Sequence, residues 1–239
     1  LRTMDVRLAG REVRVTSAPG VFSGDHLDQA TRLLLAEVPP PPPEGDLLDL
    51  GCGWGPIALT LAHAAPQATV WAIDVNERAL DVTRRNALAD GAKNITALLP
   101  DEVPQDIRFA AIWSNPPIRI GKTAVHDMLR RWLPRLTPGG QAHLVVSKNL
   151  GADSLARWIT DELAMQVERV TSAGGFRILR VTQSGSANLD IPHENGGAAE
   201  GDRLVWPGRR GEGACRDGPG PAGRGARPSP PPARERRRA

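Results

Sequence analysis

Residues 47–89 read as strand, glycine-rich turn, helix, strand and helix, an order that few folds accept. Leu47-Leu48-Asp49-Leu50 is an apolar run of strand length, and Asp49-Leu50-Gly51-Cys52-Gly53-Trp54-Gly55 turns the chain. Ile57 to Ala65 has helical length, Thr69-Val70-Trp71-Ala72-Ile73 has strand character, and Glu77 to Ala89 follows the capping residue Asn76. Alternation of this kind implies parallel strands joined by crossover helices. Further strands are expected at Ile95 to Leu99, Phe109 to Trp113 and Ala142 to Ser147. Val125, Met128, Leu129, Trp132 and Leu136 mark a helix that Pro138-Gly139-Gly140 ends. Gln166 to Thr171 and Phe176 to Thr182 flank Ala173-Gly174-Gly175 and form an antiparallel pair at one edge. The fold class is therefore α/β: a Rossmann-like, doubly wound, mostly parallel seven-stranded sheet with an antiparallel edge strand.

The flanks differ in character. Met4 to Leu8 and Glu12 to Thr16 alternate as a hairpin around Ala9-Gly10-Arg11. Leu27, Ala30, Leu33, Leu34 and Val38 then recur at helical spacing behind Asp25, read as the N-cap, and Pro39 to Pro43 end the helix. Past Gln183 no apolar periodicity survives. Residues 207–239 carry nine Arg against Glu212, Asp217 and Glu235, a charge of +6 that leaves −3 of the formal +3 for residues 1–206. The basic balance thus belongs to the tail, and attraction of phosphates by bulk charge on the folded part is disfavoured. The expected organisation is a domain over residues 1–183, with the hairpin, helix and proline linker in 1–45 and the core in 46–183. Residues 184–239 are expected to be a disordered Gly/Pro/Arg-rich tail.

Cys52 and Cys215 are too few for a disulfide framework, and the five His lack metal-ligand spacing, so no metal is expected. No apolar run approaches the roughly 20 residues that span a bilayer, and the first residues lack a signal-peptide pattern. A cytoplasmic protein without membrane association is expected. The chain starts at Leu1 rather than Met, which leaves upstream sequence open.

The glycine loop follows a strand and precedes a helix, where doubly wound sheets bind nucleotide-like ligands. A dinucleotide fingerprint would place glycine where Pro56 stands, and a phosphate-binding Gly-Lys-Ser/Thr is missing. Asp74 ends the next strand, 21 residues after Gly53, where a carboxylate accepts bonds from both ribose hydroxyls. Asn76 serves as the helix cap, which leaves Asp74 free for a ligand. An adenosine cofactor without phosphates fits this combination, and S-adenosylmethionine is the natural candidate. A second corner, Ser114-Asn115-Pro116-Pro117-Ile118, ends the fourth strand of the main sheet. Consecutive prolines fix the backbone there, and an Asn amide with free carbonyls suits a planar amino group.

These residues, together with Gly20-Val21-Phe22-Ser23, Leu27-Asp28, Asp74 to Leu80, Gly121-Lys122 and Lys148 to Ala152, resemble the "methyltransferase small" family of class I S-adenosylmethionine-dependent methyltransferases. Within it the likeness is to the RsmC-like ribosomal RNA guanine-N2 methyltransferases. The resemblance implies S-adenosylmethionine held by Asp49, Gly51, Cys52, Gly53, Gly55, Asp74, Val75 and Asn115. Asp49 would face the methionine end and Asp74 the ribose. It implies Asn115, Pro116 and Pro117 as the catalytic corner, accepting the hydrogens of an exocyclic guanine amine. Ile118, Arg119, Lys122 and Lys148 would meet the RNA, and Phe22 would pack over the cofactor; Asp101 or Glu102 would face its adenine. Ile118 departs from the Tyr or Phe of adenine-N6 and glutamine-N5 enzymes, which disfavours those acceptors and removes an aromatic platform. Ala30 replaces a usual small residue. The expected partner is ribosomal RNA or the small ribosomal subunit, with the oligomeric state open. Two alternatives stand beside it: a methyltransferase for a small molecule or protein side chain, and a non-catalytic RNA-binding or assembly module.

Overall fold

A computed structural model describes residues 1–8, 10–21, 26–117 and 121–184. The tail assigned to residues 184–239 lies outside the described residues apart from Ser184, as do Asp25, Phe22, Ile118 and Arg119.

Seven strands form one sheet in the order β5-β4-β3-β6-β7-β9-β8: β3 (Asp46–Leu50), β4 (Thr69–Ile73), β5 (Ile95–Leu98), β6 (Phe109–Ser114), β7 (Leu136–Ser147), β8 (Met165–Ala173) and β9 (Phe176–Gln183). The first five run parallel. β9 is antiparallel to both β7 and β8, so the pair closes one edge with β8 outermost. A separate hairpin, β1 (Arg2–Leu8) and β2 (Arg11–Ser17), precedes the sheet.

The alternation along each strand sorts the core into two layers. On one face Leu48, Leu50, Ile112, Leu144 and Val146 pack under α4 (Lys122–Trp132) and α5 (Ala152–Leu163). On the other, Leu47, Val70, Ala111, Trp113 and Val145 pack under α1 (Gln29–Glu37), α2 (Pro56–Ala64) and α3 (Glu77–Asp90). α2 is buried from Pro56 through Ala62, because the hairpin covers its far side: Leu8, Val13 and Val15 meet Trp54, Leu59 and Val82.

Differences from the sequence reading have local causes. The helix begins at Gln29 with Asp28, not Asp25, as its cap: Asp28 Oδ2 accepts from the backbone N–H groups of Ala30 (2.9 Å) and Thr31 (3.1 Å). α4 ends at Trp132, before Pro138-Gly139-Gly140, because Pro134 cannot extend it and a short 3-10 turn over Leu133–Arg135 takes over. The proline–glycine stretch is instead the irregular start of β7, where the pairing with β6 shifts register between Phe109 and Ala111. α5 was not expected; Leu155 and Ile159 bury its inner stripe at helical spacing. Among the described residues no helix is long and apolar enough to cross a membrane.

Candidate active site

The strand order reverses between β3 and β6, and ligands of open α/β sheets bind at the carboxyl ends of strands at such a switch point. The glycine loop leaves β3 here and is tied to the end of β4: the N–H groups of Gly51 and Cys52 both donate to the Ile73 carbonyl, at 2.8 and 3.0 Å. Gly55 caps α2 in the left-handed region at φ +90, and a Cβ on it would stand 3.0 Å from Thr83 Cγ2. Only glycine meets both demands.

Asp74 is not free, contrary to the sequence reading. Its Oδ2 accepts from the Gly53 N–H (3.0 Å) and its Oδ1 from the Asn76 N–H (2.9 Å), even though Asn76 does cap α3 by accepting from Arg78 N–H. The capping residue and the carboxylate are close enough in sequence to share the same turn. Each carboxylate oxygen keeps a further acceptor site, so ribose hydroxyls remain within its capacity. Asp49 lies beneath the loop, fully buried. Its Oδ2 accepts from Ala58 N–H at 2.9 Å, while Oδ1 has no partner among the described residues. Burial pushes this carboxyl up to about 8; the Ala58 N–H pulls it down and the negative Asp74 pushes it further up. Cys52 faces Thr83 Oγ1 at 3.6 Å, and burial, then the charges of Asp49 and Asp74, raise its thiol well above the usual range. It is no thiolate nucleophile at neutral pH.

Asn115 and Pro116 continue β6 into the same region. Asn115 Nδ2 donates to Asp28 Oδ2 (2.9 Å) and to Thr31 Oγ1 (3.0 Å), and Oδ1 takes no hydrogen bond among the described residues. No backbone donor among those residues reaches the Pro116 carbonyl. Ser114, buried, anchors the corner by donating its hydroxyl to the Leu50 carbonyl at 2.6 Å.

One cavity of about 770 Å³ unites these parts, within the range of ligand sites. Gly51, Gly53, Asp74, Val75, Asn115, Pro116 and Pro117 of the expected set line it. Gly55 and Asp49 support the loop from behind, and Cys52 borders a narrow cleft of about 20 Å³ between the loop, Asp28 and Asn115. Lys122, the first residue of α4, and Lys148, in a 3-10 turn after β7, are exposed and lie outside the lining. Asp101 is ion-paired to Arg131 at 2.7 Å and Glu102 accepts from Leu99 N–H; neighbouring Pro100 lines the cavity instead. Asp28 and Phe176 also line it, and neither had been assigned a role. The described lining holds the carboxylates of Asp28 and Asp74 and no Lys or Arg, which suits a positively charged ligand and rejects phosphates. The orphaned oxygen of Asp49 and the glycine cradle fit S-adenosylmethionine, whose ammonium and sulfonium are cationic.

A doubly wound sheet with a phosphate-free glycine loop beside an Asn-Pro-Pro corner defines a class I methyltransferase architecture. The chain belongs to the methyltransferase small domain family, whose model matches residues 12–180. It is 36% identical over 182 residues to the uncharacterized protein YbxB of Bacillus subtilis strain 168, covering 75% of this chain and 90% of that protein. It is 36% identical over 149 residues to ribosomal RNA small subunit methyltransferase C of Pseudomonas aeruginosa strain LESB58, covering 60% of this chain and 44% of that one. A solved T. thermophilus 16S rRNA N2 G1207 methyltransferase (RsmC), in complex with AdoMet and guanosine, superposes with a TM-score of 0.67 at 25% identity, covering 76% of this chain and 50% of that chain. This chain therefore spans about half the length of the RsmC proteins it matches.

Proposed function

We propose that this chain transfers the methyl group of S-adenosylmethionine to the exocyclic N2 of a guanine in small-subunit ribosomal RNA. The observation that carries the reading is the acid-lined cavity in which the glycine loop and Asp74 meet the Asn115-Pro116 corner. The RsmC likeness supports the choice of acceptor.

When bound, the cofactor supplies a methyl group on a cationic sulfur, whose C–S bond breaks as the acceptor nitrogen's lone pair forms the new N–C bond. The residues of the chain supply orientation and charge. Gly51 and Gly53 admit the ligand against bare backbone, Asp74 accepts from the ribose hydroxyls, and Asp49 sets the potential at the methionine end. Asn115 Oδ1 and the Pro116 carbonyl accept the two hydrogens of the amine, which aims its lone pair out of the base plane toward the methyl. Asn115 is no base, so the proton shed after transfer goes to water. Pro117 keeps the corner rigid, and Ile118, Arg119, Lys122 and Lys148 contact the RNA around the target base.

The test is transfer of labelled methyl from S-adenosylmethionine to small ribosomal subunits from a strain lacking this protein, followed by nucleoside analysis. Label in N2-methylguanosine is expected; label in protein or in free metabolites would replace the acceptor. Asn115→Ala is expected to lower turnover by roughly two decades with cofactor affinity unchanged, the cost of one oriented acceptor.

A further inference from the structure

Asp28 and Asn115 stand 87 positions apart in the chain and meet through one hydrogen bond of 2.9 Å. A side-chain amide is nearly symmetric in shape but opposite in function at its two ends: Oδ1 accepts, Nδ2 donates. An amine offering its hydrogens to the corner needs Oδ1; with the amide turned over, donor would face donor and the lone pair would swing away from the methyl. The acceptor-only carboxylate on the far side of Asn115 decides the matter. Asp28 Oδ2 already takes the N–H groups of Ala30 and Thr31 and can take a third donor but give none, while Thr31 Oγ1, buried on α1, takes the second hydrogen at 3.0 Å.

We propose that Asp28, with Thr31, is a positioning residue that locks the Asn115 amide in the one flip state presenting Oδ1 to the acceptor. The helix cap and the catalytic corner are thereby one device: the carboxylate that starts α1 also sets the polarity of the residue ending β6. The inference rests on the methyl-transfer reading for its consequence, though not for its geometry.

Capping and positioning separate by side-chain reach. Asp28→Ser retains an N-cap oxygen but falls short of Asn115; Thr31→Val removes the other acceptor; Asp28→Asn retains both cap and reach. In the full chain, exchange of the Asn115 side-chain amide hydrogens, followed by NMR with ¹⁵N-labelled asparagine, is expected to speed up about tenfold or more in Asp28→Ser/Thr31→Val. At saturating S-adenosylmethionine, turnover should fall about tenfold or more in Asp28→Ser/Thr31→Val, and Asp28→Asn should recover it to within about threefold. Unchanged amide exchange overturns the inference, whatever the acceptor proves to be. So does turnover at saturating S-adenosylmethionine that is lost only in step with melting temperature, which would leave Asp28 a plain helix cap. Failure to methylate guanine with accelerated exchange intact overturns the acceptor assignment alone.

Discussion

Asp49 sits behind the glycine loop with one oxygen bonded to Ala58 N–H and the other unpartnered among the described residues. Because burial holds its carboxyl at about 8, the group is mostly protonated in the free protein at neutral pH. A cationic ligand arriving beside it favours the ionised form and lowers that value, so binding expels a proton. Calorimetric titration of S-adenosylmethionine at pH 7 in buffers of different ionisation enthalpy is expected to show release approaching about one proton, abolished in Asp49→Asn. Buffer-independent heats in the wild type would remove Asp49 from the cofactor's electrostatics. The positions of Asp49, next to last in β3, and of Asp74 and Asn115, directly after β4 and β6, are legible in the sequence because each stands at the end of a readable strand. The bonding of Asp74 was not legible, since one turn supplies donors to it and a cap at Asn76 together. Nor was the partnership of Asp28 with Asn115, which exists only once α1 docks beside β6.

Among the elements, the hairpin shows how a helix can act as a third strand. Asn86 on α3, buried, accepts from Thr16 N–H through Oδ1 (2.7 Å) and donates through Nδ2 to the carbonyls of Thr16 (2.9 Å) and Trp54 (2.8 Å). One side chain thus satisfies both backbone groups of Thr16 and pins the glycine loop at Trp54. Removing it strands buried polar groups, each costing more than a hydrogen bond returns. Asn86→Ala is expected to destabilise the protein by about 2–4 kcal/mol, read as a lowered denaturant midpoint. A midpoint equal to wild type would mean that the apolar contacts of Val13 and Val15 alone seat the hairpin. Apart from α5, strand and helix types in the core are readable from the apolar period. The end of α4 was misplaced because Pro138-Gly139-Gly140 is the louder stop signal, whereas Pro134 acts first. α5 carries the period at Leu155 and Ile159 and leads directly into β8, yet the strand alternation alone does not mark it.

For the molecule as a whole, two buried titrations set opposite slopes of stability with pH. His143, 5% exposed in the centre of β7 and edge-on to Trp113 at 6.4 Å, has no partner for either ring nitrogen among the described residues. Burial, and then the Arg180 charge, lower it from 6.5 to about 4. A group depressed on folding contributes fully above its unfolded value and loses that contribution as pH falls through the folded one. Asp49, raised on folding, does the reverse, losing its contribution as pH climbs toward about 8. The two oppose each other below pH 6.5, so the wild-type profile alone is uninformative there. His143→Gln should lessen the fall in melting temperature between about pH 6.5 and 4 relative to wild type, and an unaltered profile would show that His143 finds a proton acceptor on protonation.

The placement of β9 between β7 and β8 also bears on how the protein comes into being. During synthesis β7 and β8 leave the ribosome before the strand that joins them, so the outer edge of β7, from Gln141 to Ser147, stays unpaired until Phe176–Gln183 emerges. Phe176 opens that final strand and is also a wall of the cavity. The nascent chain therefore carries an open edge on β7 from the completion of Ser147 until Phe176–Gln183 has been made, a hazard for chaperones to cover. The pocket is completed by nearly the last stretch of the domain to be made.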